Sequence, residues 1–352
     1  MQDNTIIAVD FGSSTIRLAV GELTNGTLRV IGVFERHLNG VKNAVITNIE
    51  EASKSVRDIL CEVNVSLYFY PKSVYIGLDM GVFKREQEKL GFLNKYGSLD
   101  INLLFNSIIS NDKSVVFDDY INVFNKAGVE VVNFYPFPIT TLSVLTDTED
   151  RKAGVMIIDI GDNLTSVVTT IGGKIIMADS IPYGGADITN DIAYIFQKNK
   201  SYSKNIKEDF GSALPSLVNE NDTFTLQESN TTIEFSKKEF SSIVFSRVNE
   251  ILTLLKQSVD SVPRDGKCSK GIFVIGGTSL LSGVPKLTKE VFLLDARIGF
   301  PESLDGLQRE YINPKFANLL GVLKTASGIF TYKNNNNVNI KPNEIITKLF
   351  CG

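Results

Sequence analysis

One pattern occurs twice in this chain, and it constrains the fold more than any other feature. IIAVDFGSSTIRLAVGELTNGTLRVIGV (6–33) and VMIIDIGDNLTSVVTTIGGKIIMADSI (155–181) share a plan: apolar strand, Asp-x-Gly, a short polar turn ending in Thr, a second strand, a Gly-containing turn, a third strand. The copies start about 149 residues apart. Asn25-Gly26 and Gly172-Gly173 supply the positive φ values that two-residue hairpin loops need. Two sheets with the same beginning imply a duplicated α/β architecture.

The rest of the chain alternates strand with helix. IEEASKSVRDILCEV (49–63) has apolar residues at helical spacing, SVYIGLDM (73–80) reads as a strand, and FDDYINVFNKAG (117–128) is helical with a glycine stop. FSSIVFSRVNEILTLLKQSV (240–259) is the longest amphipathic stretch, and GIFVIGGTSLLSGVPKL (271–287) is a strand, a Gly-Gly turn and a helix start. The asparagines 334–337 read as a linker before a short tail, IKPNEIITKLFCG. With 352 residues, 43% of them hydrophobic, the chain is long enough for two cores. A net charge of −4 argues against nucleic acid as a partner. Three scattered cysteines make neither a disulfide framework nor a zinc site, which points to a reducing cytosol. No secretory signal and no run of eighteen apolar residues is present, so a spanning helix is not expected.

Glycine lets a backbone turn sharply and approach a ligand closely. The N–H groups of Ser13, Ser14 and Thr15, and those of Asp162, Asn163 and Leu164, can then form two anion nests. A polyphosphate fits between two such turns, and Asp10 and Asp159, each at a strand end, suit a hydrated Mg²⁺ that takes few protein carboxylates. Either turn alone reads more readily as a hairpin whose Asp caps its own loop. The repetition, together with Gly276-Gly277, favours the cleft.

At this point the residues resemble a family. VDFGSSTIRLAVGE and IIDIGDNLTSVV look like the two phosphate motifs of the actin/Hsp70/sugar-kinase ATPase superfamily. IPYGGADITNDIA (181–193) is similar to its first connecting motif, VIGGTSLLSGVPKL to its adenosine motif, and NPKFANLLGVL (313–323) to its second connecting motif. Within the superfamily, GVKNAVITNIEEASKSVRDIL, SVLTDTEDRKAGVMIIDIG and GGADITNDIAY resemble the bacterial cell-division family FtsA. The resemblance implies an actin-like ATPase fold, two duplicated α/β halves around a nucleotide cleft. It implies ATP and Mg²⁺ as ligands, with Gly12, Ser13, Ser14 and Thr15 on one side of the phosphates and Gly161, Asp162, Asn163 and Thr165 on the other. Gly184 and Gly185 belong to the connecting motif, Gly276, Gly277 and Thr278 would pack adenine and ribose, and Lys207 in IKEDFGSA (206–213) is a base or ribose contact. Asp10 and Asp159 would hold Mg²⁺ through water.

Three departures from the family pattern stand out. GDNLTS replaces the glycine-rich second phosphate turn, so the phosphate grip is expected to be looser. The place of the water-orienting Gln or Glu, in many relatives just before a Pro, falls on Tyr135 before Pro136, so ATP turnover is expected to be slow at most. The inserted subdomain between SVYIGLDM and FDDYINVF is shortened. The expected divisions are 1–79, 114–151 and 314–333 for the first actin-like subdomain, 80–113 for the insertion, 152–190 and 265–313 for the second actin-like subdomain, 191–264 for a further subdomain, and 334–352 for linker and tail. By resemblance the partners are the C-terminal peptide of FtsZ, other divisome proteins, further copies of the chain in filaments, and an anionic membrane surface on the cytoplasmic side at the division septum. Ile345, Ile346, Leu349 and Phe350 would form the apolar face of a short tail helix. The alternatives are a type IV pilus assembly ATPase and a sugar-kinase or chaperone-type ATPase on the same fold.

Overall fold

Each Asp-x-Gly turn closes a three-stranded meander, and the order of strands follows from that. The computed structural model describes residues 4–89, 91, 93, 100, 115–228, 231–261 and 268–336. β1 (Thr5–Phe11), β2 (Thr15–Thr24) and β3 (Thr27–His37) are antiparallel neighbours, with Asn25 and Gly26 at φ 52° and 80° in the hairpin loop. A small hairpin, β4 (Val41–Lys42) and β5 (Val45–Ile46), leads to α1 (Ile49–Leu67), whose first N–H groups are capped by the Asn48 side chain. β6 (Ser73–Asp79) then pairs parallel to β1, and after α2 (Met80–Lys89) and α3 (Val115–Lys126), β7 (Glu130–Phe137) pairs parallel to β6. The sheet order is β3-β2-β1-β6-β7.

Past α4 (Leu142–Leu145) and α5 (Thr148–Ala153) the plan repeats. β8 (Val155–Ile160), β9 (Thr165–Ile171) and β10 (Lys174–Ile181) form the second meander. α6 (Gly185–Phe196), α7 (Lys200–Phe210), the hairpin β11 (Thr223–Glu228) with β12 (Thr231–Ser236), and α8 (Lys237–Ser261) follow. β13 (Ile272–Ile275) pairs parallel to β8, and after α9 (Val284–Phe292), β14 (Ala296–Ile298) pairs parallel to β13. The second sheet runs β10-β9-β8-β13-β14, strand for strand the plan of the first. α10 (Ala317–Asn336) returns to the first sheet, where Gly321 packs on the backbone of Thr140 and Val322 lies against Gly77 of β6.

Two apolar cores result. One gathers β1, β2, β6, α1, α3 and α10 around Ile16, Leu18, Ile59, Ile76 and Leu320; the other gathers β8, α6, α8 and α9 around Ile158, Ile188, Phe240, Leu252 and Val274. Burial at roughly 25 cal/mol per Å² of apolar surface is the term that holds each half together. The fold is therefore the duplicated α/β architecture that the repeat implies. At one boundary it differs from expectation. α10 continues to Asn336, so the first three residues of the asparagine run extend a helix that is already nucleated and packed, and their poor propensity does not stop it. The expected insertion begins with α2, and the remainder of 80–113, apart from residues 91, 93 and 100, lies outside the described residues. So do Ile345, Ile346, Leu349 and Phe350.

Candidate functional site

The two turns are built alike. Gly12 N–H donates to the carbonyl of Thr15 at 3.1 Å, and Gly161 N–H donates to the carbonyl of Leu164 at 3.0 Å. A Cβ on Gly12 would lie 2.9 Å from the Thr15 oxygen and one on Gly161 3.0 Å from the Leu164 oxygen, so each turn is as tight as a bare backbone permits. Ser13 Oγ accepts the N–H of Ala44, which ties the first turn to the β4–β5 hairpin. Behind the second turn, Gly185 and Ala186 donate their N–H groups to the carbonyls of Gly161 and Asp162 at 2.9 and 2.6 Å.

Between the turns lies a cavity of about 540 Å³, within the range of small-molecule sites. Its walls include Asp10, Gly12, Ser13, Ser14 and Thr15 from one half and Asp159, Gly161, Asp162, Asn163, Gly276, Gly277, Thr278 and Lys207 from the other. Gly277 faces open space, with no atom within 4 Å of where a Cβ would sit, whereas a Cβ on Gly276 would fall 2.5 Å from Asp159 Oδ1. Three expected residues are not on the wall. Thr165 is buried and donates its hydroxyl to the Tyr183 carbonyl at 2.8 Å. Gly184 and Gly185 pack against the back of the second turn, and Gly185 offers its carbonyl to Lys207 Nζ at 2.9 Å. These three shape the turn from behind, because the chain that follows β10 crosses beneath it.

Burial governs the charges here. It drives the Asp10 carboxyl up from its ordinary value against the pull of Arg17, whose Nη1 lies 3.0 Å from Asp10 Oδ2 while its Nε reaches Glu35 at 3.1 Å. Burial likewise pushes the Asp159 carboxyl up to about 7, opposed by the hydrogen bond from Asn318 Nδ2 at 2.6 Å and reinforced by the charges of Asp79 and Asp10. Asp79 is raised for the same reason. Burial lowers Lys207. A cavity that crowds desolvated carboxylates beside Lys204, Lys207, Lys315 and Arg17 is preorganised for a ligand carrying both a cation and anionic groups. Among the described residues no group of three or more His, Cys, Asp or Glu is placed to hold a metal ion.

The expectation for Tyr135 is corrected. Tyr135 is 2% exposed and stacked on Tyr75 with centroids 6.2 Å apart, inside the first core. The β7 residue that reaches the cavity is Phe137, before Pro138. Alternation along a strand puts residues 135 and 137 on one face, and where the strand ends decides which of them meets the cavity. Sequence reading also passed over Arg17, Asp79, Lys315 and Asn318. Arg17 had a signal: it sits opposite Asp10 in the β1–β2 register. Asp79 had one too, as the last residue of a parallel strand beside β1, where ligands of open α/β sheets gather.

A family model described as "Cell division protein FtsA" matches residues 156–321. The chain is 26% identical to the "Cell division protein FtsA" of Borreliella burgdorferi, over 92% of this chain and 91% of that one. It is 22% identical to the protein of the same description from Streptococcus pneumoniae, over 90% and 79% of the two chains. Among solved structures, MreB5 of Spiroplasma citri bound to ADP superposes with a TM-score of 0.64 at 16% identity, covering 96% of this chain and 100% of that one. A chain of the PilM-PilN type IV pilus biogenesis complex superposes with a TM-score of 0.66 at 13% identity, covering 92% and 98%. Those two likenesses speak for the fold alone. By sequence over nine-tenths of its length the chain is similar to the cell-division proteins FtsA, and its architecture is the actin-like fold.

Proposed function

We propose that this chain binds ATP with Mg²⁺ in the cleft between its two halves and serves in cell division, linking FtsZ filaments to the cytoplasmic face of the membrane at the septum. The observation that carries the nucleotide reading is the pair of Asp-x-Gly turns, closed by the same hydrogen bond in each half and facing one cavity. In this reading the N–H groups of Ser13–Thr15 and Asp162–Leu164 hold the phosphates from opposite sides. Gly277 leaves room for the adenosine, and Lys207, fixed by the Gly185 carbonyl, lines the same wall. Mg²⁺, when bound, neutralises phosphate charge, and Asp10 and Asp159 are the groups that would hold it through water. Phe137, at the end of β7, supplies no proton acceptor of its own. FtsZ would dock its C-terminal peptide on residues 191–264, further copies of the chain and other divisome proteins would join it in filaments, and residues 345–350 would meet an anionic membrane.

The test is ligand-dependent thermal stabilisation. ATP with Mg²⁺ raises the melting temperature of the unmutated protein, while Asp10→Ala and Gly277→Arg each remove the rise. Gly277→Arg fills open space, so its melting temperature without nucleotide stays near that of the parent. A parent protein indifferent to ATP sinks the reading.

A further inference from the structure

One carboxylate of the cavity has no place in the account above. Asp10 and Glu35 are held by Arg17, Asp159 is held by Asn318, and Asp162 and Glu208 share the electrostatic neighbourhood of Lys207. Asp79 lines the same cavity, and among the described residues no Lys, Arg or His stands within ion-pair distance of it.

Its setting is specific. Asp79 ends β6 and stands opposite Phe137 in the β6–β7 register, so it flanks the apolar residue at the end of the neighbouring strand. Its Oδ1 accepts the N–H of Gly81 at 2.7 Å and the Ser180 hydroxyl at 3.2 Å. The Ser166 hydroxyl lies 3.1 Å from both carboxylate oxygens. Oδ2 therefore has one shared donor and keeps acceptor capacity. Both serines belong to the second half, and a Cβ built on Gly81 would be 3.2 Å from Asp79 Oδ1 and 3.3 Å from Leu164 Cδ1. Asp79 thus sits where the second turn meets the first half, at the phosphate end of the cavity. Three donors fix the carboxylate in place, and the desolvation of this half-buried group makes it a better proton acceptor than a fully solvated one.

We infer that Asp79 is the group that orients the attacking water for hydrolysis of the γ-phosphate, an assignment that rests on the nucleotide reading of the cleft. Oδ2 accepts a hydrogen bond from the water and aims its lone pair at the γ-phosphorus. The water oxygen forms its bond to phosphorus as the bond to the β,γ-bridging oxygen breaks, and that electron pair leaves on ADP. The water's proton passes to a phosphate oxygen by way of Asp79, which returns to the carboxylate, so that ATP and water become ADP, inorganic phosphate and a released proton. Phosphoryl transfer asks the protein mainly for such positioning.

The experiment separates binding from turnover. Thermal stabilisation by ATP with Mg²⁺ and release of inorganic phosphate are measured on the parent protein, Asp79→Asn and Asp79→Ala. The expected result is that the parent is stabilised and releases phosphate, and that Asp79→Asn retains its ATP affinity within about threefold while release falls by about 10²-fold, the low end for a positioned base. Added formate restores part of the release in Asp79→Ala, which a purely structural role for Asp79 would not produce. Phosphate release by Asp79→Asn at the parent rate overturns the inference, as does a tenfold loss of its ATP affinity or a failure of formate to act. A parent that binds ATP and releases no phosphate also overturns it and leaves the nucleotide reading standing. A parent that does not bind ATP removes both, and the binding measurement alone identifies that case.

Discussion

At the scale of single residues, the cleft is a problem in desolvation. Asp159 titrates at about 7 in the folded chain against an ordinary 3.8, with burial as the first cause and its neighbours Asp79 and Asp10 adding to it. The folded state therefore holds this proton more tightly than the unfolded state. The stability it contributes is complete below the ordinary value and is lost as pH rises through about 7. In the absence of nucleotide and metal, thermal melts between about pH 5 and about pH 8 are expected to show falling stability from this group, and Asp159→Asn flattens that slope. Asn at this position still accepts from Asn318, so the variant keeps its hydrogen bond. ATP with Mg²⁺ favours the carboxylate, so ligand stabilisation of the parent grows over the same interval. A slope unchanged in Asp159→Asn would assign the pH dependence to other groups.

At the scale of elements, α2 is the strut between the halves. It leaves β6 directly after Asp79, and its Lys84 reaches Asp179 of β10 at 2.6 Å and the Ser180 carbonyl at 3.3 Å. Asp179 is 2% exposed, and its other carboxylate oxygen accepts from Ser258 of α8. Removing the cation leaves a buried carboxylate short of its partner, which costs several kcal/mol in a fully buried pair and less here because Lys84 is a quarter exposed. Lys84→Met is expected to destabilise the protein by about 1–3 kcal/mol in urea denaturation, and Lys84→Met with Asp179→Asn by less than the single change. Simple additivity of the two would show that no coupling crosses between α2 and β10. The elements themselves were readable in advance where period and caps agreed, as in α1 behind Asn48 and α3 before Gly128 at φ 85°. The end of β7 was not readable, because alternation gives the face of Tyr135 and Phe137 alike and only the neighbouring strands say how far each extends.

At the scale of the whole molecule, two cores meet at one cavity, and a ligand bound there would be a shared contact that neither half has alone. If residues 345–350 carry it to the membrane, Ile346→Glu with Phe350→Glu moves it from the membrane fraction to the soluble fraction while stabilisation by ATP is unchanged. Several weak tails on one filament add by avidity, so the effect is expected to be larger in cells than in binding of the single chain to anionic vesicles. Unchanged fractionation of the double variant would exclude the tail as the anchor.

The amino-acid sequence by itself determined the duplication, the two meanders and the two tight turns. Those features rest on contacts a few residues apart: apolar alternation, Asn-Gly and Gly-Gly loops, and glycines where a Cβ would strike the backbone. It also placed Asp10 and Asp159 at the ends of β1 and β8. The tertiary structure decided which other side chains share the cavity with them. Asn318 reaches Asp159 across a sequence separation of 159 residues, and Asp79 receives Ser166 and Ser180 across 87 and 101. Such pairings follow from how the two sheets pack against α2 and α10, and local pattern carries no record of it. The same packing buried Tyr135, brought Phe137 to the wall, and set Thr165, Gly184 and Gly185 behind a turn.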